Sequence, residues 1–370
     1  MKKNSTCHRS PKRGAKVREE WLTIGLDLGD KTSRYCVLDG HGEVAKEGSV
    51  ATTKKGMAQV FGAMRRCRIA LEVGRHSPWV SRLLSSFGHE VIVAHARQVK
   101  LIRASSRKDD RLDAETLARL ARVDRQWLRP IRHRSQEAPG DLLVIGVRAA
   151  LVEVRTSLVN TARGLVKALG ERLPHCDADQ MGPAQMEPLP AWLRERLEPL
   201  LQQVESLTGQ IQECDRKIEQ IARSQYPETA LLKQVSGVGT LIALTFVLTL
   251  EDKQRFQKSR DVGCYIGLRP RRCDSGASQP QLRITKEGDI YLRKLLVQGA
   301  HHILGWRGPD TDLRRWGLRL ATRGGQNAKK RAIVAVARKL AVWLHHLWVT
   351  AEVYEPLRNS RTRPPQPAAA

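Results

Sequence analysis

The spacing of apolar and polar positions changes twice along the chain and divides it into three regions. In the first, Trp21 to Leu28, Arg34 to Leu38 and Glu43 to Ala51 are short apolar or alternating runs. They are separated by Gly-Asp-Lys-Thr and by Asp39-Gly40-His41-Gly42, which is turn chemistry and predicts strands joined by hairpins. Lys54 to Arg66 then reads as a helix, Arg68 to Val73 as a short buried strand, Pro78 to Ser86 as a helix and Glu90 to Ala94 as a strand. Helical segments around Arg97 to Ala104 and Asp110 to Val123 close the region. Hairpin strands followed by strands alternating with helices predict a mixed sheet covered by helices, an α/β domain over residues 21–125.

Residues 126–224 follow a different period. Leu193, Leu197, Leu200, Val204, Leu207, Ile211, Cys214, Ile218 and Ile221 recur in steps of three and four, the seam of a coiled-coil helix. Val147, Leu151, Val154, Leu158, Leu165 and Leu169 form a looser second seam, and the stretch from Pro174 to Pro190 separates the two. An antiparallel helical hairpin, a dimer contact or both would satisfy this pattern, and the coiled-coil segment is expected to serve oligomerisation. Pro199 and Gly209 lie on the seam helix and are expected to bend or weaken it. Residues 225–350 read as a mainly α domain with turn-rich interruptions. Residues 1–20 read as a basic disordered arm, and 351–370 as a disordered tail.

Charge then narrows the partners. The chain carries 64 Lys and Arg against 38 Asp and Glu, a formal net charge of +26. Such a surplus repels itself and is relieved by a polyanion, because phosphates neutralised by the protein release condensed counterions. Nucleic acid is the expected partner. No run of about 18 apolar residues is present, so no membrane span is predicted. Seven scattered cysteines without a C-x-x-C pair argue against a disulfide framework and a zinc site, and fit a reducing cytoplasm.

Four acids are the candidate chemistry. Asp27 ends the first strand, Glu72 ends a short central strand, and Asp110 and Asp113 lie three apart at the start of a helix, on one face. Strand ends and a helix start can converge, and four carboxylates together call for cations. Two Mg²⁺ ions (or Mn²⁺) about 4 Å apart would serve phosphoryl transfer. The run Ile24-Gly25-Leu26-Asp27-Leu28-Gly29 also resembles the first phosphate loop of sugar kinases and actin-like ATPases, but no second Asp-x-Gly-Gly-type loop follows. Gly237 and Gly239, in Val235-Ser236-Gly237-Val238-Gly239-Thr240, form a turn of the kind that directs N–H groups at a phosphate in helix-hairpin-helix modules. Ser275, followed by Gly276 in a turn-rich stretch with Arg269, Arg283, Lys286 and Arg293, is a candidate nucleophile whose developing charge these cations would hold.

Taken in order, Gly-Leu-Asp27-Leu-Gly, Leu-Glu72-Val-Gly, Lys108-Asp-Asp110-Arg-Leu-Asp113-Ala, Ser-Gly-Val-Gly239, and Gly-Leu-Arg-Pro270 through Ser275-Gly to Ile-Thr-Lys286-Glu-Gly and Leu-Arg293 resemble the DEDD transposases of insertion sequences, which include the Piv-type DNA invertases. The resemblance covers residues 21–350. It implies a RuvC-like (RNase H-like) first domain, with Asp27, Glu72, Asp110 and Asp113 as metal ligands and Ser275 as the serine that becomes joined to DNA phosphate. It further implies a mainly α C-terminal transposase domain, a dimer or tetramer and a bacterial, nucleoid-associated location. A structured bridge RNA is implied as guide, and the active site is composite, carboxylates from one protomer and serine from another. Two ambiguities stand. Asp109 occupies the place where the family commonly has Thr, so it competes with Asp110, and Ser278 shares the turn with Ser275. A Holliday-junction-type nuclease with the same carboxylates, and a non-catalytic nucleic-acid binder, are the alternative functions.

Overall fold

The computed structural model describes residues 21–95, 110–131, 133, 138–280 and 282–361. The chain divides into two compact units, Met1–His133 and Arg134–Ala370. The predicted basic arm, the helix predicted over 97–104, Asp109 and the last residues of the tail lie outside the described residues.

Among the described residues of the first unit, five strands form one sheet in the order β3-β2-β1-β4-β5. They are β1 (Thr23–Asp27), β2 (Thr32–Leu38), β3 (Val44–Ala51), β4 (Arg68–Glu72) and β5 (Glu90–Ala94). The first three pair antiparallel through tight connections, whereas β4 lies parallel to both β1 and β5. Parallel pairing needs crossover connections, and α1 (Lys54–Phe61) and α2 (Ser77–Ser86) lie within them. Thr53 starts α1 by accepting a hydrogen bond from the Gly56 N–H at 3.1 Å.

Alternation along the strands decides which helices cover which face. Ile24, Leu26, Ile69 and Leu71 bury one face with Phe61 and Leu84 of α1 and α2. The alternate residues Cys36 and Leu38, Ala70 and Ile92 pack under α3 (Asp110–Val123), against Ala114 and Ala118 and against Leu117 and Ala121. The predicted mixed α/β sheet is therefore present, with both faces covered.

The second unit is helical. Helices α4 (Ala138–Ala168) and α5 (Ala191–Gln225) pack antiparallel, with Arg148 paired to Asp215 near one end and Arg155 donating to the Thr208 hydroxyl further along. The seam of α5 is consumed within the chain: Leu193, Leu197, Val204, Leu207, Ile211 and Ile218 are buried, and Leu201 rather than Leu200 enters the core. The looser seam is not the packing face of α4. Val147, Val154, Leu165 and Leu169 are exposed, while Ile145, Val159, Ala162 and Val166 are buried. Pro199 and Gly209 both lie inside one continuous 35-residue helix.

After the short helix α6 (Thr229–Leu232) come α7 (Thr240–Leu250), α8 (Arg260–Tyr265), α9 (Ile290–Leu304), α10 (Asp312–Ala321) and α11 (Ala328–Thr350). Helix α11 is long and apolar enough to cross a membrane by composition, although it holds no unbroken run of about 18 apolar residues. Its Val336, Leu340 and Leu344 are fully buried, Val336 at Gly317 of α10 and Leu340 at Gly299 of α9, as in the core helix of a globular unit. The hairpin is joined to this core through Ile145, Ile218, Leu244 and Leu248.

Candidate functional site

Asp27 and Glu72 stand side by side at the carboxyl end of the sheet for a reason visible in the strand register. Leu26 pairs with Leu71 across the parallel β1–β4 ladder, so one residue further Asp27 stands beside Glu72. Neighbouring strands are about 4.8 Å apart. Alternation puts Asp27 on the same face as Gly25, and Glu72 on the same face as Ala70, which is the face under α3. Helix α3 runs opposite to these strands. Its Ala114 carbonyl sits over Gly25, and seven residues later its Ala121 carbonyl accepts from Arg68 at the opposite end of β4. The first turn, carrying Asp110 and Asp113, therefore lies at the same end as Asp27 and Glu72. Asp113 is buried, with 8% of its surface exposed. The positive end of the helix dipole favours acids in that turn.

The structure thus brings the backbones of all four predicted acids to one edge. The Asp110 side chain is not described. Among the described residues, no three His, Cys, Asp or Glu side chains are grouped closely enough to hold a metal ion as they stand. The donor set fits a hard cation nonetheless, being carboxylate oxygen only and lacking the sulfur and imidazole that zinc prefers.

A histidine contact that no motif marks also lies at this edge. His76 lies four residues after Glu72, and its ring is set by two contacts. Its Nδ1 accepts from the Trp79 indole N–H at 3.1 Å, so Nε2 carries the proton toward Asp30 at 3.3 Å. The loops that follow the two acid-bearing strands are tied together through it. The only signal for it in the sequence is a histidine in a Gly74-Arg-His76-Ser turn.

Gly25 shows how tightly α3 is seated. A Cβ there would lie 1.8 Å from the Ala114 carbonyl oxygen and 2.6 Å from the Ala118 nitrogen, both backbone atoms that cannot swing aside. Gly25→Ala must lift α3 off β1. It is expected to cost about 3 kcal/mol or more, at the upper end for overpacking, and to lower the melting temperature by roughly 10 °C. Thermal unfolding checks this, and a shift under about 2 °C would mean that α3 is not held where described.

The second candidate centre is a small hairpin arm. Arg271 N–H bonds the Arg283 carbonyl and Thr285 N–H bonds the Arg269 carbonyl, both at 2.9 Å. At the tip, Ser275 and Ser278 exchange both backbone hydrogen bonds, at 3.1 and 3.0 Å, around Gly276-Ala277. Gly276 has φ +54°, the left-handed geometry such a two-residue turn needs. Every residue from Arg271 to Pro280 is exposed, so either hydroxyl is reachable by a large substrate. The base of the arm is pinned where Gly267 and Gly288 pass other backbone. A Cβ at Gly267 would meet the Glu287 oxygen at 2.2 Å, and one at Gly288 the Tyr265 oxygen at 2.1 Å.

The four predicted cations around Ser275 divide. Arg269, Arg283 and Lys286 are exposed. Arg293 is half-buried, and its Nη1 donates to the carbonyls of Ile266 and Glu287 at 2.8 and 2.7 Å. Burial pushes its guanidinium down from the usual arginine range, and its contacts hold the base of the arm. Asp289 caps the neighbouring α9 by accepting from the Leu292 N–H.

The glycine turn is present between α6 and α7. Gly237 has φ +82°, and a Cβ there would lie 2.8 Å from the Gly299 carbonyl of α9, so the turn is wedged against that helix. Gly239 precedes α7 and faces open space. Together with Val238, Ile242, Gln298, Gly299 and His302 these glycines line a shallow groove of about 400 Å³. A carboxylate already borders the start of α7: the Thr240 hydroxyl beside Glu219 holds that acid below its ordinary range.

Comparison with known proteins gives matches in both halves of the chain. A family model of DEDD transposases of the IS110 type matches residues 24–170, and a second, described as the transposase IS116/IS110/IS902 family, matches 229–314. Together they span more than half the chain. A probable family 20 transposase of Pseudomonas aeruginosa is 29% identical over 90% of this chain and 98% of its own length. The transposase for insertion sequence element IS1111A of Coxiella burnetii is 27% identical over 90% of each chain. The transposase for insertion sequence element IS1328 of Yersinia enterocolitica is 27% identical over 75% of this chain and 82% of its own.

Proposed function

The chain belongs to the IS116/IS110/IS902 family of transposases, and from that premise we propose that it moves an insertion sequence by metal-dependent DNA strand transfer with Ser275 as nucleophile. One observation supports it: β1, β4 and the first turn of α3 carry the four acids at one end of the mixed five-stranded sheet. Asp27, Glu72, Asp110 and Asp113 would hold divalent cations, Mg²⁺ by the all-oxygen donor set. Those cations, when bound, neutralise phosphate charge and stabilise the oxygens of an in-line displacement.

The residues of the chain do the rest. Ser275 Oγ attacks the phosphorus of a strand, forming one P–O bond as the bridging bond to the neighbouring nucleotide breaks. The serine proton ends on the departing oxygen, which leaves as a strand-end hydroxyl. Attack by the hydroxyl of another strand reverses the exchange and restores the serine. The number of phosphodiester bonds is unchanged, so no external energy source is required. Exposed Arg269, Arg283 and Lys286 orient the phosphate, and the pinned arm keeps the hydroxyl in place. The Gly237–Gly239 turn supports a further backbone contact to phosphate. The positive surplus of 26 supports extension over DNA and a guide RNA encoded with the element. Assembly as a dimer or tetramer, and a place on the bacterial nucleoid, belong to the same reading.

The test is a strand-joining assay with DNA carrying the element ends, in Mg²⁺ and in chelator, with and without the element's non-coding RNA. Joined products that require Mg²⁺ are expected. Cleavage that yields only hydrolysed ends would instead assign a structure-specific nuclease.

A further inference from the structure

Beyond the two centres, one exposed ring is held in an unusual way. Trp306 follows α9 directly and is 83% exposed, more than any other large apolar side chain described. An indole left so fully in water costs solubility, yet its turn is not loose. Arg314, reaching from α10, donates through Nη1 to the Ile303 carbonyl at 2.7 Å and also to the Gly305 carbonyl. Gly305 N–H bonds the His302 carbonyl at 3.2 Å, and Gly308 N–H bonds the Gly305 carbonyl at 3.1 Å. Gly308 must stay glycine, since a Cβ would lie 2.3 Å from the Ile303 oxygen. The ring therefore projects from a clamped turn.

The ring is also charged on one side. The Arg307 guanidinium lies 4.3 Å from the Trp306 centroid. Arg307 makes no ion pair among the described residues, and itself stands exposed. A planar aromatic beside an uncommitted guanidinium offers a π-face to a base and a cation to the phosphate next to it. A protein partner's apolar surface would use the ring but would have to desolvate Arg307. A duplex hides its base faces and could use only the charge.

We propose that Trp306 and Arg307 form a stacking platform for an unpaired base of a DNA strand. This deepens the transposase reading and rests on it: strand exchange exposes unpaired DNA, and a platform on the unit that carries Ser275 would hold such a strand. Gln298, Gly299 and His302 of the helix that ends at this turn also line the groove at the glycine turn.

Full-length wild type, Trp306→Ala and Trp306→Phe are compared by fluorescence anisotropy with a labelled 15-nucleotide oligo-dT, an oligo-U of equal length and a 15-bp duplex. Trp306→Ala is expected to weaken oligo-dT binding roughly tenfold, the size of one lost base–aromatic stack, with duplex affinity unchanged and Trp306→Phe near wild type. The exposed ring takes no part in the core, so folding is expected to be unchanged, and circular dichroism checks it. Equal affinity of Trp306→Ala for oligo-dT, an equal loss on duplex, or a loss confined to oligo-U would overturn the proposal. So would a change of sedimentation coefficient without a change in binding, which would mean that a second copy covers the ring. Strand joining by Ser275→Ala is measured separately: its persistence would sink the recombinase reading while leaving the oligo-dT result interpretable.

Discussion

Ser275→Ala is expected to abolish strand joining, by at least about 10⁴-fold, while leaving DNA binding and folding intact. The size follows from what is removed. Metal activation and phosphate orientation act on an attacking oxygen, and without it they have nothing to act on, so the loss is not partial. The fold should not respond, because the side chain is exposed and the turn is closed by backbone hydrogen bonds between residues 275 and 278. The companion variant is Ser278→Ala. Its hydroxyl sits across the same two-residue turn, and its backbone pairing survives the substitution, so activity should change by less than about threefold. If the two variants exchange these outcomes, Ser278 is the nucleophile. Should neither variant lose activity, no serine of this arm takes part.

The second large effect is expected at Asp27→Asn. The substitution keeps shape and removes one charge from the acid edge, so strand joining should fall roughly 10³-fold through lost cation affinity and charge stabilisation. Stability gives an independent reading. Wild-type protein should gain stability with added Mg²⁺, since a ligand that binds only the folded state shifts the equilibrium toward it. Asp27→Asn should show little of that gain. An Mg²⁺-dependent rise of the same size in both proteins would remove Asp27 from the ligand set.

Much of the first unit is legible in the sequence because its signals are local. Hairpin turns at Asp39-Gly40-His41-Gly42 and period-two runs set the limits of β2 and β3 within a residue or two, and Glu90–Ala94 and Asp110–Val123 fall where expected. What brings Asp27 beside Glu72 is not local. The parallel register of β1 on β4 is set by which face Gly25 and Ala70 present to α3, and only packing decides that. The same distinction explains the helical hairpin. The apolar seam of α5 is plain in the sequence, but its partner is the Ile145, Val159, Ala162 and Val166 face of α4, less regular than the exposed row containing Val147 and Val154. A regular heptad pattern marks a helix face without saying what covers it.

In the second centre, Ser275 and its cations are adjacent in sequence, whereas the arm that presents them depends on contacts the motif does not encode. Arg293 shows the difference: a basic residue near a nucleophile reads as a phosphate ligand, yet its Nη1 holds two carbonyls at the base of the arm. Trp306 leaves still less trace. A single tryptophan between glycines has no period, and only exposure, the Arg314 clamp and the stacked Arg307 distinguish it.

In the proposed mechanism a serine on the hairpin arm becomes joined to DNA under control of the acid edge. The direct measurement is to trap wild-type protein on element-end DNA in Mg²⁺ with denaturant, digest it, and locate any nucleotide-modified peptide by mass spectrometry. A phosphodiester-linked adduct on Ser275, absent in chelator and in Asp27→Asn, is expected. An adduct on another residue, or strand joining at the wild-type rate with no adduct, would contradict it.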